Sequence, residues 1–166
     1  HHSSTKMNFT TAFRQSIMYP VAGMWVFWLP MILIGFDPLT VFSVVALNLA
    51  YQFFVHTQIV GKLGWFESVF NTPSHHRVHH AINKSYLDKN FAGVLIIWDK
   101  LFGTFVEENK NQPCKYGIVG QLNSNNPLLI TFHQWAHLFK SAYKAKGLKA
   151  KCKVLFGYPT SSVNAK

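Results

Sequence analysis

Residues 39–61 read LTVFSVVALNLAYQFFVHTQIVG, and just before them residues 17–36 read IMYPVAGMWVFWLPMILIGF. Neither stretch holds a charged side chain, and each is close to the roughly 20 residues that an α-helix needs to cross the hydrocarbon core of a bilayer. Only Asp37-Pro38 lies between them, which is a turn dipeptide, so the pair predicts a transmembrane hairpin that returns the chain to its starting side. Lys6 and Arg14 precede the hairpin, Lys62 and Arg77 follow it, and the turn carries only an acid. An excess of cations on one side places both chain ends in the cytoplasm, under a bacterial inner membrane or the endoplasmic reticulum. The competing reading is a pair of buried helices in a soluble protein. Pro20, Pro30 and Gly35 interrupt the first stretch and would make it re-entrant.

Outward from the hairpin, the length of 166 residues suits one domain. No charged leader with a short apolar run and small-residue cleavage site is seen, so no signal or transit peptide is expected, and the absence of an initial Met suggests an internal start. The net charge is +10, but many of the lysines fall after Lys84 while the first third is almost uncharged and rich in aromatic residues. That asymmetry fits a basic face toward anionic lipid rather than a groove for nucleic acid, and no nucleic-acid partner is expected. Cys114 and Cys152 form no Cys-x-x-Cys and read as reduced thiols that ligate nothing. Residues 62–108 are dense in Gly, His, Trp and Asp, a loop follows, and Asn126-Pro127 opens a last helix. There Leu128, Leu129, Phe132, Ala136, Phe139 and Tyr143 recur at helical spacing, so the helix is expected to lie among lipid headgroups. The expected fold class is all-α: a membrane helical bundle made of the hairpin, a histidine-rich helical cap on the cytoplasmic side and an amphipathic C-terminal helix. Residues 1–108 form its membrane domain and 109–166 a basic tail.

The chemistry is expected in SHHRVHH, residues 74–80. On a helix His76, His79 and His80 stand at i, i+3 and i+4, so three imidazoles point one way and converge on a metal, with His75, one turn before His79, a fourth candidate. His56, near the end of the second apolar stretch, is the best further donor. Asn48 and Gln52 precede it at helical spacing, a polar stripe at membrane depth that marks a substrate channel. The alternative for His56 is a hydrogen bond across the bundle. His133 and His137 share their face with Lys140 and Lys144, which repel a cation, and read as surface histidines. Only six carboxylates are present and none forms the Glu-x-x-His pair of a carboxylate-bridged di-iron bundle, so neutral imidazole dominates the site. Imidazole suits iron, zinc and copper alike, and ligand type alone does not name the metal. Asp88, Asn90 and Asp99 follow closely enough to accept the free ring N–H of a ligand histidine, or else Asp88 and Asp99 pair with Lys89 and Lys100 on a surface.

Residues 71–108, NTPSHHRVHHAINKSYLDKNFAGVLIIWDKLFGTFVEE, resemble the carboxy-terminal signature of the fatty acid hydroxylase superfamily of membrane di-iron oxygenases, which includes sterol desaturases. FFVHTQIVGKLGWFESVFNTPSHHRVHH and DKNFAGVLIIWDKLFGTF are most similar to its alkylglycerol monooxygenase branch and bacterial relatives. The resemblance covers residues 1 to about 108 and only loosely the tail. It implies two irons held by histidines, with a His-x-x-x-His and a His-x-x-His-His ahead of the final one at His76, His79 and His80. In that branch a serine-rich link and a segment like NFTTAFRQS follow the middle motif, so His1 and His2 resemble its last two ligands rather than the remnant of an expression tag. The chain then looks like a C-terminal fragment, inactive alone. The implied activity is hydroxylation of a membrane lipid by O2 and an electron donor, beside an ether oxygen, with tetrahydrobiopterin as reductant. A sterol desaturase or fatty acyl hydroxylase shares the site. A zinc-dependent hydrolase would need no oxygen, and a non-catalytic membrane module would tolerate loss of His76 and His79.

Overall fold

A computed structural model describes residues 1–14, 18–19, 21–120, 122, 124 and 126–157. Among them there are helices and turns but no strand; extended backbone pairs only in single bridges, Phe70 with Leu95 and Ala81 with Tyr116. The chain divides into two compact units, His1–Ile118 and Val119–Lys166.

The first unit opens with α1 (Phe9–Ala12), closed by a reciprocal cap in which the Asn8 side chain accepts from the Thr11 N–H and the Asn8 N–H donates to the Thr11 hydroxyl. The first apolar stretch then departs from the expected single helix. Gly23, at φ 77°, leads into one 3-10 turn (Met24–Phe27), a short helix α2 follows (Leu29–Leu33), and Gly35 at φ 105° ends it. The cause is local: Pro30 has no N–H to give the preceding turn and its ring would clash with it, so a continuous helix breaks there. Ile17 and Pro20 lie outside the described residues.

The second apolar stretch does form a helix, α3 (Pro38–Phe54). Asp37 starts it by accepting the Thr40 N–H at 2.8 Å, and Pro38 sits where its missing N–H costs nothing. At 17 residues it is roughly 26 Å long, and among the described residues no helix is long and apolar enough to cross a membrane. It also stops short of Gly61. Arg77, itself buried, takes the carbonyls of Thr57 and Val60 at 2.9 and 2.8 Å, so residues 55–61 run as a loop drawn onto a guanidinium rather than as further helical turns. Phe9 stacks on Phe53 at 5.1 Å and seats α1 against α3.

Beyond a 3-10 turn (Gly64–Ser68) come α4 (Pro73–His79) and α5 (Ile97–Phe102). Helix α4 is the buried centre of the unit: Pro73 through Val78 are all buried. Val78, Ala81 and Tyr86 pack together with Val106 and Cys114, and the Tyr86 hydroxyl accepts the Asn109 N–H while donating to the Gln112 carbonyl. Asn71 joins two layers, its side-chain amide donating to the Ala92 and Gly93 carbonyls while its backbone carbonyl accepts the Tyr51 hydroxyl of α3 at 2.6 Å.

In the second unit α6 (Pro127–Lys144) begins where Asn-Pro predicts, with the Asn126 side chain accepting from the Leu128 and Leu129 N–H groups. It is not the last helix. Gly147, at φ 86°, turns the chain into α7 (Leu148–Phe156), whose short apolar pattern is masked in the sequence by Lys149, Lys151 and Lys153.

Candidate metal centre

Helix α4 fixes the geometry of the centre. Its seven residues put His76 and, one turn on, the capping residue His80 on one side, with His79 beside them. Across from α4, the end of α3 delivers His56, whose Nδ1 lies 2.6 Å from the Gln52 carbonyl. That contact requires a proton on Nδ1 and leaves Nε2 as a bare lone pair. His56 Nε2 faces His76 Nε2 at 3.1 Å, and His76 Nε2 faces His80 Nε2 at 3.2 Å. His1 and His2 complete the cluster: His1 sits 4.8 Å from His80 and 5.2 Å from His56 between ring centroids, while His2 stacks on His80 at 4.1 Å and meets His79 at 4.8 Å. One donor nitrogen each from His1, His56 and His80 lie within 4.8 Å of one another.

These rings cannot satisfy each other. His76 Nε2 has two imidazole nitrogens against it and at most one proton to share, and the buried Nδ1 atoms of His1 and His76 have no hydrogen-bond partner. Buried polar atoms left so are costly, and converging neutral lone pairs are what a cation satisfies. Protonation is suppressed as ligation requires. Burial, then the neighbouring histidines, holds His76 well below the usual imidazole range, and the same causes push His80 down to about 2 and His2 to about 4. His79 is lowered by burial against the opposing Lys89 carbonyl and Asp99. The donor set of borderline nitrogen atoms fits iron, and equally zinc or copper.

The fatty acid hydroxylase family model matches residues 1–104, which include all six clustered histidines. The chain belongs to the fatty acid hydroxylase family. It is similar to alkylglycerol monooxygenase of Homo sapiens, 42% identical over 160 residues that make up 96% of this chain and 35% of that protein. Alkylglycerol monooxygenase of Caenorhabditis elegans is 43% identical over 134 residues, 80% of this chain and 26% of that protein. Ornithine lipid hydroxylase OlsE of Rhizobium tropici is 30% identical over 95 residues, 57% of this chain and 28% of that protein. The chain thus spans about a third of the length of the first of these relatives. No solved structure matches it.

Within this fatty acid hydroxylase chain, the remaining candidate residues fall at different places. His75 turns away from the cluster: it is fully buried, edge-on to Phe105, with Nε2 3.9 Å from Glu67. Glu67 in turn accepts from the hydroxyls of Thr72 and Ser74 and from the Leu63 N–H. Asp99 gives its carboxylate to the N–H groups of Phe91 and Ala92 and to the Thr104 hydroxyl, and so shapes the loop beside His79 rather than touching a ring. Asn90, at φ 53°, donates to the His75 and Val106 carbonyls and accepts the Val106 N–H. Asp88 is exposed, at φ 57°. Asn48 and Gln52 bond to each other through their amides against Gly93. His133 and His137 lie in the second unit, His133 turned onto the Leu129 and Ile130 carbonyls of its own helix.

Two orienting groups went unseen in the sequence because they are backbone: the carbonyls of Gln52 and Lys89, the latter 3.3 Å from His79 Nδ1. Arg77 is the third. It holds Glu108 through two nitrogens at 2.8 and 2.6 Å besides the Thr57 and Val60 carbonyls, and so ties the stretch that carries His56 to the helix that carries His76. Its position inside the histidine motif was the available signal.

Proposed function

We propose that the protein is an O2-dependent lipid hydroxylase of the alkylglycerol monooxygenase type, with two irons held by His1, His2, His56, His76, His79 and His80 at the cytoplasmic side of a membrane. The single observation that carries the reading is the cluster of six imidazoles, with orphaned nitrogens, inside the residues that the family model matches. Iron bound there would supply the means to activate O2 against an unactivated C–H bond, with a reductant of the tetrahydropterin class delivering two electrons and water leaving with the second oxygen atom.

What the residues themselves do follows from their placement. The Gln52 and Lys89 carbonyls hold His56 and His79 in one tautomer, so the coordinating nitrogens face inward before any ligand arrives. Burial keeps the rings of α4 unprotonated. The Asn48–Gln52 pair lies one and two turns before His56, polar groups suited to orient a lipid headgroup or its ether oxygen beside the cluster, though an acyl chain without an ether would fit the same placement. On an alkylglycerol, a hydroxyl added to the carbon beside the ether oxygen gives a hemiacetal, which breaks into fatty aldehyde and glycerol. Membrane embedding of residues 17–36 and 39–61 is supported by the large apolar side chains that α3 and the preceding turns leave exposed, among them Phe27, Leu39, Phe42 and Leu47 at 61–74%.

The test uses the complete enzyme in detergent or lipid discs with an alkylglycerol, O2 and a tetrahydropterin. Release of aldehyde that requires O2 and is lost, together with bound iron, in His76→Ala and His80→Ala supports the reading. Turnover that persists under strict anaerobiosis points to a hydrolase, and hydroxylation of acyl lipids or sterols without ether cleavage points to the sister activities.

A further inference from the structure

The second unit lies beyond the residues that the family model matches, and its composition is extreme: residues 119–166 hold seven lysines and no acid. No side chain of the unit can therefore pair with them as an anion. Helices α6 and α7 pack on each other, yet Ala142 is the only buried hydrophobic residue among the described residues of the unit. Ala150 and Val154 of α7, and Trp135 and Leu138 of α6, are half-buried. The large apolar side chains lie elsewhere. On α6 Leu128, Phe132, Phe139 and Tyr143 form one exposed stripe, with Tyr143 86% exposed, and Lys140 and Lys144 run along its border. On α7 Leu148, Cys152, Leu155 and Phe156 form a second, with Phe156 85% exposed, bordered by Lys151 on one side and by Lys149 and Lys153 on the other. The same arrangement thus occurs on two successive helices.

We propose that this helical pair is an anionic-lipid docking surface, with its two apolar stripes sunk into the headgroup region and its lysines against acidic headgroups. Lysine stems that border an apolar stripe cover it with methylenes while their ammonium groups reach the headgroup plane, and each lysine near an anionic surface strengthens binding by roughly fivefold. A nucleic acid would answer the charge but leave both apolar stripes in water, so the bilayer is the partner that satisfies both features. The inference stands apart from the histidine cluster and from the reaction assigned to it.

Cys152 provides the reporter. It is exposed within the α7 stripe, whereas Cys114 is half-buried beside Glu108 with its thiol pushed up to about 12, and Cys114→Ser removes it altogether. The full chain with Cys114→Ser is placed in lipid discs of phosphatidylcholine alone or doped with phosphatidylserine, and labelling of Cys152 by a water-soluble maleimide is timed. Labelling roughly tenfold slower in the anionic discs, restored by high salt and by joint Lys149→Gln, Lys151→Gln and Lys153→Gln replacement but not by the matching arginines, is the expected result. Equal rates in the two discs overturn the proposal, as does equal protection by an RNA oligonucleotide added to phosphatidylcholine discs. Iron content measured on the same samples reads the histidine cluster separately.

Discussion

Arg77 stands between two metal-ligand candidates, and its guanidinium bonds elsewhere. Its guanidinium bonds with Glu108 through two nitrogens and caps the carbonyls of Thr57 and Val60, one and four residues past His56. The pair is mostly buried, so removing one partner leaves an uncompensated charge and two carbonyls without donors. Arg77→Ala is expected to cost about 3–5 kcal/mol in thermal unfolding of the detergent-solubilised protein, and to loosen iron retention because the stretch after His56 is no longer tied to α4. Arg77→Lys keeps the charge but cannot make both contacts to Glu108 and reach both carbonyls, and should recover less than half of the loss. Full recovery by lysine would mean that charge alone, not the planar fork, matters there. At the same scale, the sequence shows that His76, His79 and His80 share a helical face, but not which way His75 turns. Glu67 and Phe105, distant in the chain or on another element, settle that side chain.

At the scale of elements, α3 meets the loop after Asn90 through a close approach at Gly93. A Cβ there would lie 2.8 Å from Gln52 Nε2 and 3.3 Å from Asn48 Oδ1. The Gln52 amide can swing away, but only by giving up its bond to Asn48. Gly93→Ala should therefore destabilise by about 1–2 kcal/mol. In the Gln52→Ala background the same change should cost under about 0.5 kcal/mol, a coupling that a double-mutant cycle of unfolding midpoints measures directly. Additive costs would place the strain in the backbone instead. The first apolar stretch shows a limit of hydropathy: it is uncharged enough to read as a spanning helix, yet Gly23, Pro30 and Gly35 divide its described part into a 3-10 turn and a five-residue helix. Hydropathy measures affinity for an apolar environment, whereas continuity of a helix depends on every N–H and φ along it.

For the whole molecule, the cluster couples folding to pH. His80 has its folded pKa pushed down to about 2 and His76 lies well below the usual value near 6.5, so both are neutral when folded and protonate when unfolded. The stability that they carry is fully present above about pH 6.5 and is lost progressively as pH falls below it, because the unfolded chain then binds protons that the folded one refuses. His80 by itself forfeits about 2 kcal/mol between pH 7 and pH 5. The metal-free protein should therefore show an unfolding midpoint that drops steeply over that interval, and His80→Ala should flatten the drop. Added Fe(II) should raise the midpoint at pH 7 and lose its effect on acidification, since protons compete for the same nitrogens. A midpoint indifferent to pH between 7 and 5 would show that the rings are solvated rather than packed together.

By itself, the sequence determined the all-helical character, a helix following Asp37-Pro38, the start of α6 at Asn126-Pro127, and the shared face of three histidines in residues 74–80, because caps, prolines and helical spacing act within a few residues. The family was legible too, from the order of residue types in the same short stretches. Only the tertiary structure decided that His1, His2 and His56 reach the rings of α4, that Asp99 serves the Phe91 and Ala92 backbone, and that two backbone carbonyls orient the imidazoles. These depend on which segments pack face to face. A carbonyl carries no residue identity from which its partner could be read, and a carboxylate's partner is set by whichever unsatisfied donors folding buries beside it.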